Sequence, residues 1–381
     1  MLDRGAKIGP SSPDRRRSLT GWKDCNITGE LGALTTRGAG GWSIWMGRPT
    51  LFAIAVMNVI TGLVVLVLLA PLAAGADAGF YRDCAMAGAT KGCGGLYPPL
   101  TALVTWPLTL LPPSGAAVVM SSIGLAILLV GVVVETRGLA RLDRLLVLLA
   151  VLGFAPVVHE LLLGQVTLPI AATIYLVARR GDAYRNGIPL GIALAIAPKP
   201  ILALVVVWML VWRRRALAGS ILAALAMTAV AVVVASPDAY VAWLSILLGL
   251  GRDSVAGTAP LATHGNLSLW PLDAPKLALA LLVAAAAVWA ILRDEARGFV
   301  AALLAGLVLA PYTGLYAATV LLLALRPALG FAPRATRLLA LGANICLAML
   351  AALVAWAAVA LAVAALPSGR GSWRRPPGAP G

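Results

Sequence analysis

Residues 51–74 read LFAIAVMNVITGLVVLVLLAPLAA, twenty-four residues without a charged side chain. A helix that crosses a bilayer needs ~20 such residues, so this stretch is long enough by itself. The stretches 115–134, 216–235 and 277–292 repeat the pattern. The whole chain follows suit: of 381 residues, 61% are hydrophobic and 12% charged, with a mean hydropathy of +0.93. Soluble domains carry about 25% charged residues, so an ordinary soluble domain and a disordered chain are both excluded. A membrane β-barrel would show ~10-residue segments of apolar/polar alternation, which are not visible. The sequence therefore predicts an all-α polytopic membrane protein.

The formal net charge of +15 invites a nucleic-acid partner, but its distribution answers otherwise. Arginines gather in short loops: Arg137, Arg141 and Arg144; Arg179, Arg180 and Arg185; Arg213, Arg214 and Arg215; Arg293 and Arg297; Arg326, Arg334 and Arg337. Membrane proteins concentrate Lys and Arg in cytoplasmic loops. With these loops inside, Arg82, Lys91, Lys199, Arg252 and Lys276 fall outside and the C-terminal arginines stay unassigned. The charge reads as topology, with the N-terminus cytoplasmic and no nucleic-acid partner. A multi-pass protein of the plasma membrane is expected.

Between the inside loops, three apolar segments are too short to cross twice in full: 145–178, 187–212 and 299–325. At ~1.5 Å of rise per residue, a thirteen-residue leg gives about 20 Å against a ~30 Å hydrocarbon core. These segments are expected to be hairpins turning near the outer interface, with apices at Pro156 and Gly164, Pro198 and Pro200, and Pro311 and Gly314. Irregular backbone at that depth survives where it is buried in protein or lines a wet cavity, so the three apices should converge. The count comes to 11 or 12 helices, with 12 favoured if 338–366 forms a further hairpin. Residues 1–50 read as a disordered basic cytoplasmic extension and 367–381 as a disordered tail, flanking a transmembrane domain over 51–366. Outer loops 75–114 and 236–276 carry enough Gly, Pro, Asp and aromatic residues to be ordered.

On this topology both histidines of the chain, His159 and His264, and the lysine at membrane depth, Lys199, share the outer side. Ionisable groups near hydrocarbon are expensive and point to function. Asp77 follows the first helix, where a carboxylate serves either as general base on a hydroxyl or as the N-cap of a helix starting at Ala78. Tyr97-Pro98-Pro99 suits the start of a helix. Lys199, between Pro198 and Pro200, either holds a lipid phosphate as a point charge or pairs with an acid such as Glu160. The stretch 263–270, with His264 and Asn266, offers donors and acceptors for a sugar or phosphate. Cys84 and Cys93 are candidates for a disulfide in an oxidising compartment. No zinc-ligand spacing and no phosphate-binding Gly-rich loop is present, so neither metal nor cofactor is expected.

At these residues the chain resembles glycosyltransferase family 87. The matching pieces are Asp77 with Phe80 and Tyr81; Tyr97-Pro98-Pro99-Leu100 with Pro107; Gly164-Gln165-Val166; Lys199-Pro200 before the arginines at 213–215; Asn266-x-Ser268-Leu269; and Pro311 to Tyr316. The resemblance covers roughly residues 50–330. It departs from the family pattern at Thr167, at Leu267 and across 311–316. The resemblance implies a GT-C fold and transfer, with inversion, of a sugar from a polyprenyl-phosphate donor to a glycolipid or envelope-glycan acceptor at the outer face. Mannose is the first donor sugar and arabinofuranose the second. Asp77 would be the catalytic base, and no metal is needed. Arg82, His159, Gln165, Lys199, His264 and Asn266 would hold the donor's phosphate and sugar, with Tyr81, Tyr97 and Tyr316 structural or on the acceptor side. Membrane lipids complete the partner set. The competing classes are a transporter or lipid flippase, for which the internal repeats common in transporters are missing, and an inactive scaffold of envelope assembly, which would not depend on Asp77.

Overall fold

The computed structural model describes residues 47–88, 97–245, 268–269, 272–310, 313–332 and 334–336. Their order is helical: α1 (Arg48–Ala73), α2 (Ala76–Ala87), α3 (Pro99–Thr105) with a 3-10 turn (Trp106–Leu110), α4 (Pro113–Glu135), α5 (Arg141–Leu152), α6 (Ala155–Leu163) and α7 (Thr167–Arg180). Then follow α8 (Tyr184–Ile196), a 3-10 turn (Pro200–Leu202), α9 (Ala203–Trp212), α10 (Arg214–Ala235), α11 (Ala274–Arg293), α12 (Glu295–Leu309), a 3-10 turn (Leu315–Val320) and α13 (Leu321–Phe331). Among the described residues there is no strand. Four helices (α1, α4, α10 and α11) are long and apolar enough to cross a membrane, and the bent pair α5–α6 makes a fifth. The protein is an all-α polytopic membrane protein, and the four long helices fall on the four spans expected from hydropathy.

Local chemistry sets the helix ends. Pro occupies the first turn of α1, α3, α4 and α11, where its missing N–H costs nothing. Asp273 caps α11 by accepting from Lys276 N (2.9 Å), and Asp294 caps α12 by accepting from Arg297 N (2.8 Å), each satisfying an otherwise orphaned amide. Helix α1 starts at Arg48, a little before the expected boundary at residue 51. The α5–α6 pair bends by 59° at Gly153-Phe154, because Pro156 in the first turn of α6 cannot donate to the preceding helix.

The helices break at the three expected apices. Helices α5–α6 and α7 turn at Gly164, α8 and α9 at Ala197 to Pro200, and α12 with α13 around Thr313 and Gly314. Pro311 and Tyr312 of the third apex lie outside the described residues. Gly164 has φ 69°, a left-handed conformation that ends a helix with least strain when no Cβ is present. A Cβ there would also stand 2.9 Å from the Ala78 Cβ, so this glycine lets α2 lie directly on the apex.

The opposite end of the bundle carries the arginine loops, stitched by ion pairs. Arg48 reaches Asp143 (3.0 Å), and Glu135 is held by Arg179 (2.9 Å), Arg326 (2.6 Å) and the Tyr175 hydroxyl. Arg213 pairs with Glu295, and Asp182 accepts from the amides of Arg215 (2.7 Å) and Ala216 (3.0 Å). Lipid competes equally for apolar side chains, so membrane helices associate by close backbone packing, which here begins in the first turns beside the arginine loops. Helices α8 and α10 show this: a Cβ on Gly187 would lie 1.7 Å from the Ala216 carbonyl oxygen. Of the outer segment 75–114, residues 75–88 and 97–114 are described and mostly helical, whereas 89–96, most of 236–276 and all of 338–366 lie outside the described residues.

Candidate active site

The site is built where α2, the start of α3 and the hairpin apices meet. Asp77 and Tyr81 are four residues apart on α2 and so share one face. Gly75 N donates to the Leu162 carbonyl (2.7 Å), which sets the start of α2 against the end of α6. Asp77 is not the cap of α2: the N-cap is Gly75, with no side-chain capping bond. The Asp77 carboxylate instead accepts from Gln165 Nε2 (2.5 Å), because Gly164 lets Gln165 reach across to it.

Gln165 is the hub. Its Oε1 accepts from the Tyr81 hydroxyl (3.0 Å) and from Lys199 Nζ (3.1 Å), while its Nε2 serves Asp77. Lys199 also donates to the Tyr97 hydroxyl (3.2 Å), and the Tyr81 and Tyr97 hydroxyls lie 3.1 Å apart. Lys199 is extended, with φ −111° and ψ 113°, the conformation forced on a residue that precedes proline. This aims its side chain out of the apex between two rings, 5.6 Å from the Tyr97 centroid and 5.3 Å from that of Tyr316. Tyr316 also faces the His159 ring (6.0 Å between centroids). Thr105 Oγ1, donating to the Tyr81 carbonyl (3.1 Å), and Thr101 Oγ1, donating to the Ile196 carbonyl, fix α3 to α2 and α8.

Burial pushes the Asp77 carboxyl above the ordinary aspartate range, while the Gln165 hydrogen bond and the Lys199 charge pull it back down. Tyr81 is raised well above the usual phenol range, first by burial and then by Tyr97, so it stays a donor. Lys199 offers three N–H groups and gives two to protein acceptors. One N–H therefore remains for an anion, a few bonds from a carboxylate able to accept a proton.

Of the candidates from the sequence, Asp77, Tyr81, Tyr97, Gln165 and Lys199 form one hydrogen-bonded network, with the Tyr316 ring against Lys199 and His159 tilted against Tyr316. Lys199 does not form the ion pair with Glu160 left open by the sequence; its partners are Tyr97 and Gln165. Arg82 is turned elsewhere, with Nε on the Leu111 carbonyl (2.9 Å) and its guanidinium 3.5 Å from Asp83. Cys84 is disulfide-bonded. Cys93, His264 and Asn266 lie outside the described residues. Among the described residues no three His, Cys, Asp or Glu side chains group as a metal site.

Sequence reasoning placed Gln165 beside the donor but missed that it bridges Asp77 to Lys199. It also missed Thr101 and Thr105, whose i, i+4 spacing on one face of α3 was the available signal. No curated protein and no solved structure matches the chain. The profile of glycosyltransferase family 87 matches residues 96–322, a stretch that holds Tyr97, Gln165, Lys199 and Tyr316. The chain belongs to glycosyltransferase family 87 and is a membrane glycosyltransferase.

Proposed function

We propose that the protein transfers a sugar, mannose first and arabinofuranose second, from a polyprenyl-phosphate donor to a hydroxyl of a glycolipid or envelope glycan. Asp77 takes the proton of the acceptor hydroxyl. The acceptor oxygen attacks the anomeric carbon, the bond from that carbon to the phosphate oxygen breaks, and polyprenyl phosphate leaves with the electron pair. Attack opposite the leaving group inverts the anomeric centre. Lys199, with an N–H to spare, holds the leaving phosphate as charge builds on it, a role in which a preorganised cation contributes most. His159 and Tyr316 wall the same side, and His264 and Asn266 complete the donor pocket in this reading.

The observation that carries the proposal is the short bridge from Asp77 through Gln165 to Lys199. It joins a proton acceptor and a phosphate-binding cation in one rigid unit. The arginine loops at the far end support a cytoplasmic N-terminus and an active site that opens outside the plasma membrane.

The test is transfer in lipid nanodiscs with polyprenyl-phosphate-mannose and a pool of bacterial glycolipid acceptors. Wild type and Asp77→Asn are run side by side, and Asn keeps an acceptor for Gln165. A positioned base contributes ~10²–10⁴-fold; the variant should lose that much while keeping donor binding. Equal transfer by both would sink Asp77 as base. Silence of wild type with both the mannosyl and the arabinofuranosyl donor would sink the polyprenyl-phosphate reading in favour of a transporter or scaffold.

A further inference from the structure

We propose that Glu160 is a positioning residue that clamps the Gly164–Thr167 turn and thereby sets Gln165 between Asp77 and Lys199; this rests on the function proposed above. Glu160 holds the turn from both sides. Its backbone carbonyl accepts from Gly164 N (3.1 Å) and Gln165 N (3.2 Å), closing the end of α6. Its carboxylate reaches past the turn, and Oε1 accepts from Leu168 N (3.0 Å) in the first turn of α7. That amide is one of the orphan donors every helix N-terminus presents, and a carboxylate there also meets the positive end of the helix dipole. The four residues between these attachments are left little freedom, and one of them is the hub of the catalytic network.

A second observation separates this role from ordinary capping. Glu160 is 1% exposed, and its Oε2 has no hydrogen-bond partner in the protein. A buried carboxylate oxygen left unsatisfied is destabilising, and Ser, Thr or Asn at the N-cap position, held here by Val166, would cap the same amide without that burden. Glu160 is the residue that reaches Leu168 N across the whole turn, eight positions away. Shorter side chains at 160 would fall short of it.

The experiment compares Glu160→Ala, Glu160→Gln, Gln165→Leu and the Glu160→Ala/Gln165→Leu double variant in nanodiscs, by transfer kinetics and amide hydrogen exchange. Gln keeps an oxygen for Leu168 N, so Glu160→Gln should recover most of the kcat that Glu160→Ala loses. The Leu168 and Gln165 amides should exchange at least about tenfold faster in Glu160→Ala and close to wild type in Glu160→Gln. If Glu160 acts through Gln165, the double variant should be within about threefold of Gln165→Leu alone, since residues acting as one unit are non-additive. Multiplied losses in the double variant, unchanged exchange in Glu160→Ala, or equal damage from Ala and Gln would each overturn the proposal. Should Glu160→Ala not fold, Glu160→Leu takes its place, filling the volume without an acceptor. Hydrogen exchange needs no turnover, so the clamp stands or falls even if the donor class is wrong.

Discussion

Replacing Gln165 by Leu removes the three hydrogen bonds that make Asp77, Tyr81 and Lys199 one unit. Leu is close in volume and apolar, so the packing of the apex is largely kept and the change is chemical. Two of the lost bonds involve charged groups, ~1.5–3 kcal/mol each, and one is neutral, ~1 kcal/mol. Lys199 keeps the Tyr97 hydroxyl and Tyr81 keeps Tyr97, so these two recover part of the loss. Asp77 has no such substitute. We expect a net ~3–4 kcal/mol at the transition state, which at ~1.4 kcal/mol per decade lowers kcat/KM by about 10²–10³. Donor binding, read separately by ligand-induced thermal shift, should weaken by a smaller factor, because Lys199 keeps its charge. The assay is initial-rate transfer in nanodiscs with donor and acceptor each varied. Activity within threefold of wild type would refute the hub, since it would mean that Asp77 and Lys199 hold their geometry without Gln165.

Burial raises the Asp77 carboxyl, so the acid limb of kcat/KM should lie above the ordinary aspartate value of ~3.9, activity falling as the pH drops through it. Gln165→Leu removes one of the groups that lower this carboxyl and should move the limb further up; a limb that moves down contradicts the assignment. For stability the sign is opposite: the folded protein holds this proton more tightly than the unfolded chain, so the group's contribution is full below ~3.9 and is lost as pH rises through the raised value, which a pH series of thermal unfolding would check. Gly187→Ala puts a Cβ where the Ala216 carbonyl already stands, 1.7 Å away, so α8 and α10 must separate; overpacking of this kind costs about 1–3 kcal/mol. A lowered unfolding temperature in detergent, with reduced transfer because α8 leads into Lys199, is expected, and an unchanged unfolding temperature would show that the helices do not approach so closely.

Much of this protein was written in its composition. Length and charge-free runs placed α1, α4, α10 and α11, because a bilayer punishes any charged or unpaired group along ~20 residues and so leaves a signal that needs no tertiary context. Pro and Gly placed the hairpin apices, since each restricts the backbone at its own position: Pro156 bends α5 from α6, and Gly164 takes φ 69°. The arginine loops carry the topology we propose, and the order of motifs along the chain gave the family. Asp77 was ambiguous because a carboxylate at the start of a helix looks the same as a cap or as a base. The fold removes the cap, since Gly75 holds that position and Gln165 comes within 2.5 Å of the carboxylate; the base is our proposal. The pairing of Tyr81 with Tyr97, the bridge from Gln165 to Lys199 and the reach of Glu160 to Leu168 join groups 16, 34 and 8 residues apart. No local periodicity carries them. They arise from the close approach of short helices whose apices bring buried polar groups together.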